Sequence, residues 1–422
     1  MADGGKNGAL AALRVRDFRL YWFGMSLSRL GTAMQTMGIA WHIYLLTHEP
    51  LSLGLIGLVQ VGPVMAFSLL GGAWADSMSR RRLILVTQSV LLLLSGTLAA
   101  ITLGGVATAW MLYAIIFCQA IAASAGGGAQ GAIVPSLVPR ELIPNAIAIK
   151  NLSWSVAGIV GPALGGLFIA YLGLQSVYLF DAVSFLAVIA AILTARANLD
   201  TLGTAAGNSV RASLAAIRDG FGFMRANPVI LNLILLDFLA VIFGEARTLL
   251  PVFARDILQV GPQGLGLLSG APAVGAAIGA GLLTVMRSPR WPGRVILVSV
   301  MVYGFCTAVF GLSHAFWLSW AALVGGGIAD TISMTQRQVI PQILTPEAMR
   351  GRVSGINLFF ANTGNQLGEF EAGAVAQWLG ARASVLFGGG ACILLALGVS
   401  FRSRAMWDFS LDTAPVAERV HP

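Results

Sequence analysis

The chain has 422 residues, of which 57% are hydrophobic and only 10% are charged. A soluble domain carries about a quarter charged residues, so this composition excludes a soluble globular protein and indicates a polytopic membrane protein. The net charge is +8, but no basic run is long or interleaved with aromatic residues, so nucleic-acid binding is not expected.

Cysteine and histidine are sparse and scattered. The three cysteines lie far apart inside apolar runs, so they are interpreted as buried thiols rather than disulfide partners. The four histidines show no spacing suited to a metal ion. The sequence therefore predicts neither a metal site nor a cofactor.

Twelve apolar segments of about 20 residues or more are each able to cross a bilayer as a helix. They lie near 18–46, 51–75, 82–103, 107–134, 145–171, 174–197, 228–255, 261–286, 293–312, 315–343, 351–380 and 382–404. The first is too long for a signal peptide and is expected to remain in the mature protein. The prediction is an all-α membrane protein.

Most of the 26 Lys and Arg residues fall in segments on the same side as the N-terminus. By the positive-inside rule, both termini are predicted to be cytoplasmic, as an even number of spans requires. The predicted domains are a cytoplasmic N-terminus at 1–17, a six-helix bundle at 18–197, a cytoplasmic linker at 198–227, a second six-helix bundle at 228–404 and a cytoplasmic tail at 405–422. Within the linker, "SVRASLAAIRDGFGFMRANP" has the pattern of an amphipathic helix.

The two bundles repeat in sequence. "IVPSLVPRELIPNAIAIKNL" from Ile133 aligns with "VIPQILTPEAMRGRVSGINL" from Val339, and "RLILV" from Arg82 resembles "RVILV" from Arg294. Such a duplication predicts two pseudo-symmetric bundles and is typical of transporters whose site lies at the interface of the repeats.

Two motifs are found, one in the loop after span 2 and one within span 5. "GGAWADSMSRRRL" places Gly72, Asp76, Arg80 and Arg81 in the loop after span 2. The arginines also serve topology, and that role alone is the alternative interpretation. In span 5, "AGIVGPALGG" contains Gly161, Pro162, Gly165 and Gly166. These residues permit close helix packing and a kink, and simple packing is again the alternative.

Together with the duplication, these motifs resemble the major facilitator superfamily over about 18 to 404. The likeness is strongest to its drug and siderophore exporters, the group of the enterobactin exporter and macrolide efflux proteins, and "WHIYLLTHEPLSLGLIGLV" and "TPEAMRGRVSGINL" carry it. The resemblance implies that Gly72, Asp76, Arg80 and Arg81 form a conformational latch and that the span 5 motif is of the antiporter type. Ser77 and Ser79 depart from the loop motif, and span 4 lacks the antiporter arginine.

In the resembling fold, spans 1, 4, 7 and 10 line the cavity. Here each has one polar residue near mid-depth, where a charged side chain is costly and therefore a functional candidate: Arg29, Gln119, Asp237 and Asp330. Arg29 and Asp237 occupy corresponding places in the two halves, so a charge pair across the cavity is one prediction. A fixed structural ion pair is the alternative.

Span 11 carries one polar stripe. At 100° per residue, Asn362, Asn365, Gln366 and Glu369 share a face, whereas Glu371 points almost the opposite way. The stripe is therefore expected to face the protein interior or the cavity. Glu369 and Asp237 are the candidate proton acceptors, and a hydrogen-bonded structural acid is the alternative for Glu369.

Three other charged residues lie closer to span ends. Arg337 is only a few residues inside the cytoplasmic end of its span, so its side chain is expected to extend to that surface rather than to act in transport. Glu245 and Arg247 lie in the outer half of span 7 on different faces of the helix, and part of an outer gate is one interpretation of either residue.

The sequence thus predicts a monomeric exporter of small amphipathic molecules, drugs or siderophores, in the bacterial inner membrane. Its partners would be the substrate, protons and the lipid bilayer. A proton-coupled importer of the same fold is the first alternative. An enzyme is not expected, because no grouping of nucleophile, base and orienting residue is found.

Overall fold

The structure is a computed structural model that describes residues 10–77, 79–197, 221–225, 227–285 and 289–408, with the side chains of 67–77, 348, 404 and 405 outside the described part. Within these ranges the predicted all-helical architecture is confirmed. Twelve long helices follow one another: α1 (Arg16–Thr47), α2 (Pro50–Ser77), α3 (Arg80–Leu103), α4 (Ala109–Ala132), α5 (Ile143–Leu172), α6 (Leu174–Thr194), α7 (Pro228–Gly244), α8 (Gly261–Val285), α9 (Pro292–Leu312), α10 (Phe316–Leu344), α11 (Glu347–Leu379) and α12 (Ala381–Arg402).

Most of these helices suit a bilayer by length and composition. Eight of the described helices, namely α3 to α9 and α12, are long and apolar enough to cross a membrane. The other four include α1, α10 and α11, which hold the predicted site residues Arg29, Asp330 and Glu369. Polar residues in a spanning helix are tolerated when they face protein or water rather than lipid.

The chain divides into two compact units. The first unit comprises Met1–Thr47, Gly62–Asn208 and Gly261–Gly270, and the second comprises His48–Val61, Ser209–Val260 and Ala271–Pro422. Relative to the predicted bundles at 18–197 and 228–404, the first turns of α2 belong to the second unit. Likewise, the first turns of α8 belong to the first unit.

The same packing pattern occurs in both units, as the sequence repeat predicts. In the first unit, α6 packs on α1 and α3, while α5 packs on α1. In the second unit, α12 packs on α7 and α9, while α11 packs on α7. Each unit also has an apolar core of its own, one containing Phe18 and Ile192 and the other containing Ile296 and Cys392.

Two equivalent tight turns connect the last helices of each repeat. Gly173 alone separates α5 from α6, and Gly380 alone separates α11 from α12. Their φ angles are 83° and 88°, in a region where a side chain is strained and glycine is favoured. The glycines are therefore required by the backbone at these two turns.

Most of the predicted amphipathic linker helix lies outside the described residues. Its last part, residues 221–225, is helical. Met224 is only 1% exposed and packs with Ile230 and Ile234 of α7 and with Val353 and Ile356 of α11. This segment is therefore anchored to the second unit by apolar contacts.

Asp17 connects the start of α1 to the chain that leaves α6. Its Oδ2 accepts hydrogen bonds of 2.9 Å from the backbone N–H groups of Arg196 and Ala197. We expect Asp17→Ala to lower the free energy of unfolding by about 1–3 kcal/mol, because both N–H groups lose their acceptor. Thermal unfolding of the protein in detergent would measure this.

Arg16→Ala is the matched control for this prediction. The side chain of Arg16 is 46% exposed and pairs with Asp17 at 3.4 Å. A pair this exposed contributes about 0–1 kcal/mol. Equal destabilisation by the two substitutions would contradict the assignment of Asp17 as the main connection.

Candidate functional site

An ion-pair network in the second unit joins α7 to α10. Arg337 forms ion pairs with Asp237 and, at 3.2 Å, with Asp330. The side chains of Arg337 and Asp237 are 10% and 18% exposed, whereas that of Asp330 is 54% exposed. One guanidinium thus serves two carboxylates, of which one is buried and the other is accessible.

This position of Arg337 corrects an expectation from the sequence. Arg337 lies close to the end of its span, so its side chain was expected to extend toward the predicted cytoplasmic surface. The structure instead directs it back toward Asp237 and Asp330. The physical reason is that the partly buried carboxylate of Asp237 and the exposed carboxylate of Asp330 both lie within ion-pair distance of the guanidinium.

A second ion pair forms where α7 ends. The helix stops at Gly244, and Glu245 adopts φ −79° and ψ 60°, outside the helical region. Arg247 Nε and Nη2 each donate to the Glu245 carboxylate at 2.9 Å. Glu245 and Arg247 were expected on different faces of one continuous helix, which was wrong because the backbone breaks between them.

The break in α7 is satisfied by a side chain from α9. Tyr303 donates its hydroxyl hydrogen to the carbonyl oxygen of Gly244 at 2.6 Å. A carbonyl at a helix end has no partner within the helix, so this bond replaces the missing one. Tyr303 therefore holds the turn that brings Glu245 and Arg247 together.

A small cavity lies between the two ion pairs in the second unit. Its volume is about 70 Å³, and its lining includes polar groups from α9, α10, α11 and the segment that follows α7, among them Glu245, Arg247, Tyr303, Asp330, Arg337 and Asn365. Pockets for drug-sized ligands occupy about 300–1,000 Å³. This cavity therefore suits water or a proton pathway rather than a whole substrate.

The polar stripe of α11 is half-buried, and its members meet different neighbours. Asn365 lines the cavity, and Gln366 Nε2 donates to Gln60 Oε1 at 3.4 Å. Glu369 packs against Gly57 of α2, where an added Cβ would lie 2.9 Å from Glu369 Oε2. Asn362 is also half-buried.

Glu369 differs from the other predicted acids in its electrostatic surroundings. Across the part of the chain that the structure describes, no Lys, Arg or His lies within 4.0 Å of its carboxylate. Asp237, by contrast, is paired with Arg337. The two predicted proton acceptors therefore differ in whether a cation forms a direct ion pair with them, since only the more distant charges of Arg247 and Glu245 act on Glu369.

In the first unit, Arg29 is held by its own neighbours. Its Nη1 donates to the carbonyl oxygen of Lys150 at 3.0 Å, and the guanidinium lies 5.0 Å from the ring centre of Trp154. Both Arg29 and Asp237 thus have partners within their own units. The charge pair between them stays a prediction.

Gln119 belongs to a hydrogen-bond chain in the first unit. Its Nε2 donates to Ser95 Oγ at 3.2 Å, and Ser95 Oγ donates to Asp181 Oδ2 at 2.8 Å. Gln119 was predicted from its depth in span 4. Its connection through α3 to an acid on α6 has no signal in the sequence, because three helices have to be packed before these residues meet.

The placement of the predicted latch in a loop was wrong, because α2 continues to Ser77 and therefore includes Gly72 and Asp76, while Arg80 and Arg81 begin α3. Of the side chains in this motif, the structure describes only the two arginines. The side chain of Asp76 and the surroundings of Gly72 lie outside the described residues. Arg80 donates to the carbonyl oxygen of Ala132 at 3.1 Å, and Arg81 donates to that of Leu193 at 3.2 Å. Both carbonyls lie at helix C-termini, where cations are favourable.

The glycines of the span 5 motif bring two helices close to α5. A Cβ on Gly161 would lie 2.6 Å from Ala33 Cβ, and one on Gly165 would lie 2.8 Å from Met37 Cε, both on α1. Gly166 faces the first turns of α8, where its added Cβ would lie 3.2 Å from Gly266 Cα. Pro162 lies inside the helix. The motif thus packs α5 against both neighbours.

Twelve long helices within the described residues, a packing pattern repeated in both units and ion pairs between helices are the architecture of a secondary transporter of the major facilitator fold rather than of an enzyme. The chain belongs to the transmembrane secretion effector family (MFS_3), whose sequence profile matches residues 7–420. It is therefore a multi-pass membrane protein whose family transports small molecules.

Similar proteins agree with this assignment. The chain is 26% identical over 358 residues to the enterobactin exporter EntS of Escherichia coli O139:H28 (strain E24377A / ETEC), covering 83% of each chain. Crystal structures of the nucleoside transporter NupG and of a POT family transporter with 5-aminolevulinic acid both superpose with a TM-score of 0.74. Their identities are 14% and 13%, and they cover 94% and 93% of this chain and 100% and 97% of their own, so they show the fold alone.

Proposed function

We propose that this chain exports small amphipathic molecules of the drug or siderophore type, in exchange for protons and by alternating access. The observation that carries the proposal is the likeness to the enterobactin exporter EntS, which extends over 83% of both chains. The family description, transmembrane secretion effector, supports the outward direction. The bacterial relatives favour the inner membrane, and the distribution of Lys and Arg favours cytoplasmic termini. The monomeric state stays a prediction.

The proposed substrate and proton pathway uses polar residues of five helices, namely α1, α4, α7, α10 and α11. It comprises Arg29, Gln119, Asp237 and Asp330 together with the α11 stripe Asn362, Asn365, Gln366 and Glu369. The network around Arg337 supports the inclusion of Asp237 and Asp330, because a charged cluster at mid-depth is costly unless it has a function.

Of the two candidate proton acceptors, the contacts favour Glu369. A proton carrier has to exist both with and without its proton during one transport cycle. The charged form of Asp237 is compensated by Arg337, so releasing this acid from its ion pair would be needed before it binds a proton. Within the described residues Glu369 forms no such ion pair, and the nearby Arg247 is already paired with Glu245.

The conformational part of the proposal assigns two further roles. Gly72, Asp76, Arg80 and Arg81 form the latch that holds one state of the cycle. Gly161, Pro162, Gly165 and Gly166 form the packing surface on which α5 moves against α1 and α8. The close approaches at these glycines support the second role.

The test uses purified protein in liposomes that contain a pH-sensitive dye. We expect a pH gradient to drive substrate-dependent proton flux in the wild type. Glu369→Gln should abolish this flux while substrate binding is retained, because glutamine keeps the shape and cannot exchange a proton. Glu371→Gln is the matched control, since it removes a carboxylate from the other face of the same helix and should leave the flux unchanged. Asp237→Asn tests the second acid.

Each outcome separates the possible functions. Unchanged flux in Glu369→Gln and Asp237→Asn would contradict the assignment of the proton carrier and leave export intact. Proton flux in the same direction as substrate uptake would favour the importer. No coupled flux with any drug or siderophore would contradict proton antiport for these substrates.

A further inference from the structure

Asp181 on α6 is a buried carboxylate that the proposed pathway does not use. Its side chain is 0% exposed. Thr32 of α1 donates to its Oδ1 at 3.2 Å, and Ser95 of α3 donates to its Oδ2 at 2.8 Å. The carboxyl group is thus held between three helices by neutral hydroxyl groups.

The helices packed on α6 carry charged or titratable side chains, and each of these is engaged elsewhere or lies near a helix end. On α1, Arg29 is bound to the Lys150 carbonyl and His42 contacts Tyr178 at 3.0 Å. On α3, Arg80 and Arg81 donate hydrogen bonds to backbone carbonyl oxygens at helix C-termini, and Arg82 lies beside them at the start of the helix. On α5, Lys150 lies near the first turns of the helix. Within the described residues none of them pairs with Asp181. A charged carboxylate buried without a cation is strongly unfavourable, whereas a protonated one is not.

The repeat gives a comparison that speaks against a purely structural acid. The alignment of Arg82 with Arg294 and of Gly173 with Gly380 gives spacings of 212 and 207 residues, so Thr307 of α9 and Gly388 of α12 correspond to Ser95 and Asp181. The two helices cross in close contact beside these positions, since a Cβ on Gly389 would lie 2.6 Å from the Gly304 carbonyl oxygen. The same helix crossing therefore forms in the second unit without an acid.

The carboxyl group is connected to an accessible face of α1. Thr32 is exposed, as is Thr36, and together with Arg29 these residues follow the spacing of one helix face. On its other side, Asp181 is linked through Ser95 to Gln119 of α4, which is half-buried. A buried carboxyl with hydroxyl contacts on both sides is suited to exchange a proton with the polar faces of α1 and α4.

We propose that Asp181 is a second proton-binding site, located in the first unit, and that the Thr32 hydroxyl is the group through which its proton exchanges with the polar face of α1. The proton adds to a carboxylate oxygen to give the neutral acid, and the same bond breaks on release. The role of this site in transport rests on the proton antiport proposed above. The protonation of Asp181 does not depend on that proposal.

Infrared spectroscopy of the full chain in liposomes tests the site directly. The carbonyl stretch of a protonated carboxylic acid lies apart from that of a carboxylate. We expect the difference between wild type and Asp181→Asn to show a protonated carboxyl band at neutral pH that shifts in deuterated water. Raising the pH should remove the band reversibly. Glu371→Gln should leave this band in place.

Two further variants keep Asp181 and test its connections. Ser95→Ala should shift the frequency of the band, because one hydrogen bond to the carboxyl group is lost. Thr32→Val preserves the side-chain shape, and it should slow the exchange of the carboxyl proton for deuterium without removing the band. These variants keep the proposal testable even where Asp181→Asn fails to fold.

The outcomes are distinct from those of the proposed function. The absence of a band that depends on Asp181, or a band that neither titrates nor exchanges, would overturn the second site. Unchanged exchange in Thr32→Val would overturn the role of Thr32. In the flux assay, Asp181→Asn should lower the number of protons moved per substrate while flux persists, whereas a lack of coupled flux in the wild type would contradict antiport and leave the infrared result standing.

Discussion

Arg337→Ala is expected to destabilise the protein by about 3–5 kcal/mol, because it leaves the carboxylate of Asp237 buried without its cation. The side chain of Asp237 is only 18% exposed, so water cannot fully replace the guanidinium. Thermal unfolding of the purified protein in mild detergent would measure the loss. The double variant Arg337→Ala/Asp237→Asn should recover much of it, since the uncompensated charge is then absent.

Asp330→Asn is the control for this prediction. Asp330 also pairs with Arg337, but its side chain is 54% exposed. Exposed ion pairs contribute about 0–1 kcal/mol, so we expect a small effect. A large loss in Asp330→Asn, or no recovery in the double variant, would mean that the network is not centred on the Arg337–Asp237 pair.

Gly166→Ala is expected to abolish transport and to lower the free energy of unfolding by about 1–3 kcal/mol, because overpacking at this contact cannot be relieved by a side-chain rotation. The atoms opposite are backbone: the added Cβ would lie 3.2 Å from the Cα atoms of Gln263 and Gly266 and would clash with the Pro262 carbonyl oxygen. The initial rate of substrate movement in liposomes and the unfolding midpoint would both be measured.

Gly96→Ala provides the comparison on α3 of the same unit. No atom lies within 4 Å of the position of its added Cβ. Alanine also favours the helix more than glycine, so stability should be unchanged or slightly higher and transport should continue. Similar losses in both variants would show that helix flexibility, rather than the close approach of α5 and α8, is what the glycine provides.

Helix number, helix type and the internal repeat followed from the sequence because each depends on local composition and period. The end of α7 did not follow from the sequence. An apolar run to residue 255 indicated one continuous helix, but the backbone turns at Glu245 and is held there by Tyr303 from another helix. Such a break depends on a tertiary contact, which no local pattern encodes.

The candidate site likewise has a part that the sequence predicts and a part that it does not. Ionisable residues at bilayer depth, such as Asp237 and Glu369, were found by counting along the helices. The residues that pair with them were not found, because these contacts depend on how far each side chain extends in the folded structure. The seven-residue spacing of Asp330 and Arg337 does place both on one helix face and was an available signal. The hydroxyl contacts of Asp181 had no comparable signal.

The single-residue turns at Gly173 and Gly380 have a consequence for biogenesis. With one residue between the helices they join, there is no loop to translocate separately and no chain length for one helix to enter the bilayer far ahead of the other. We therefore expect the α5–α6 and α11–α12 pairs to insert as hairpins. Since each repeat ends in such a hairpin, the last insertion step of each half of the chain is expected to deliver two helices together.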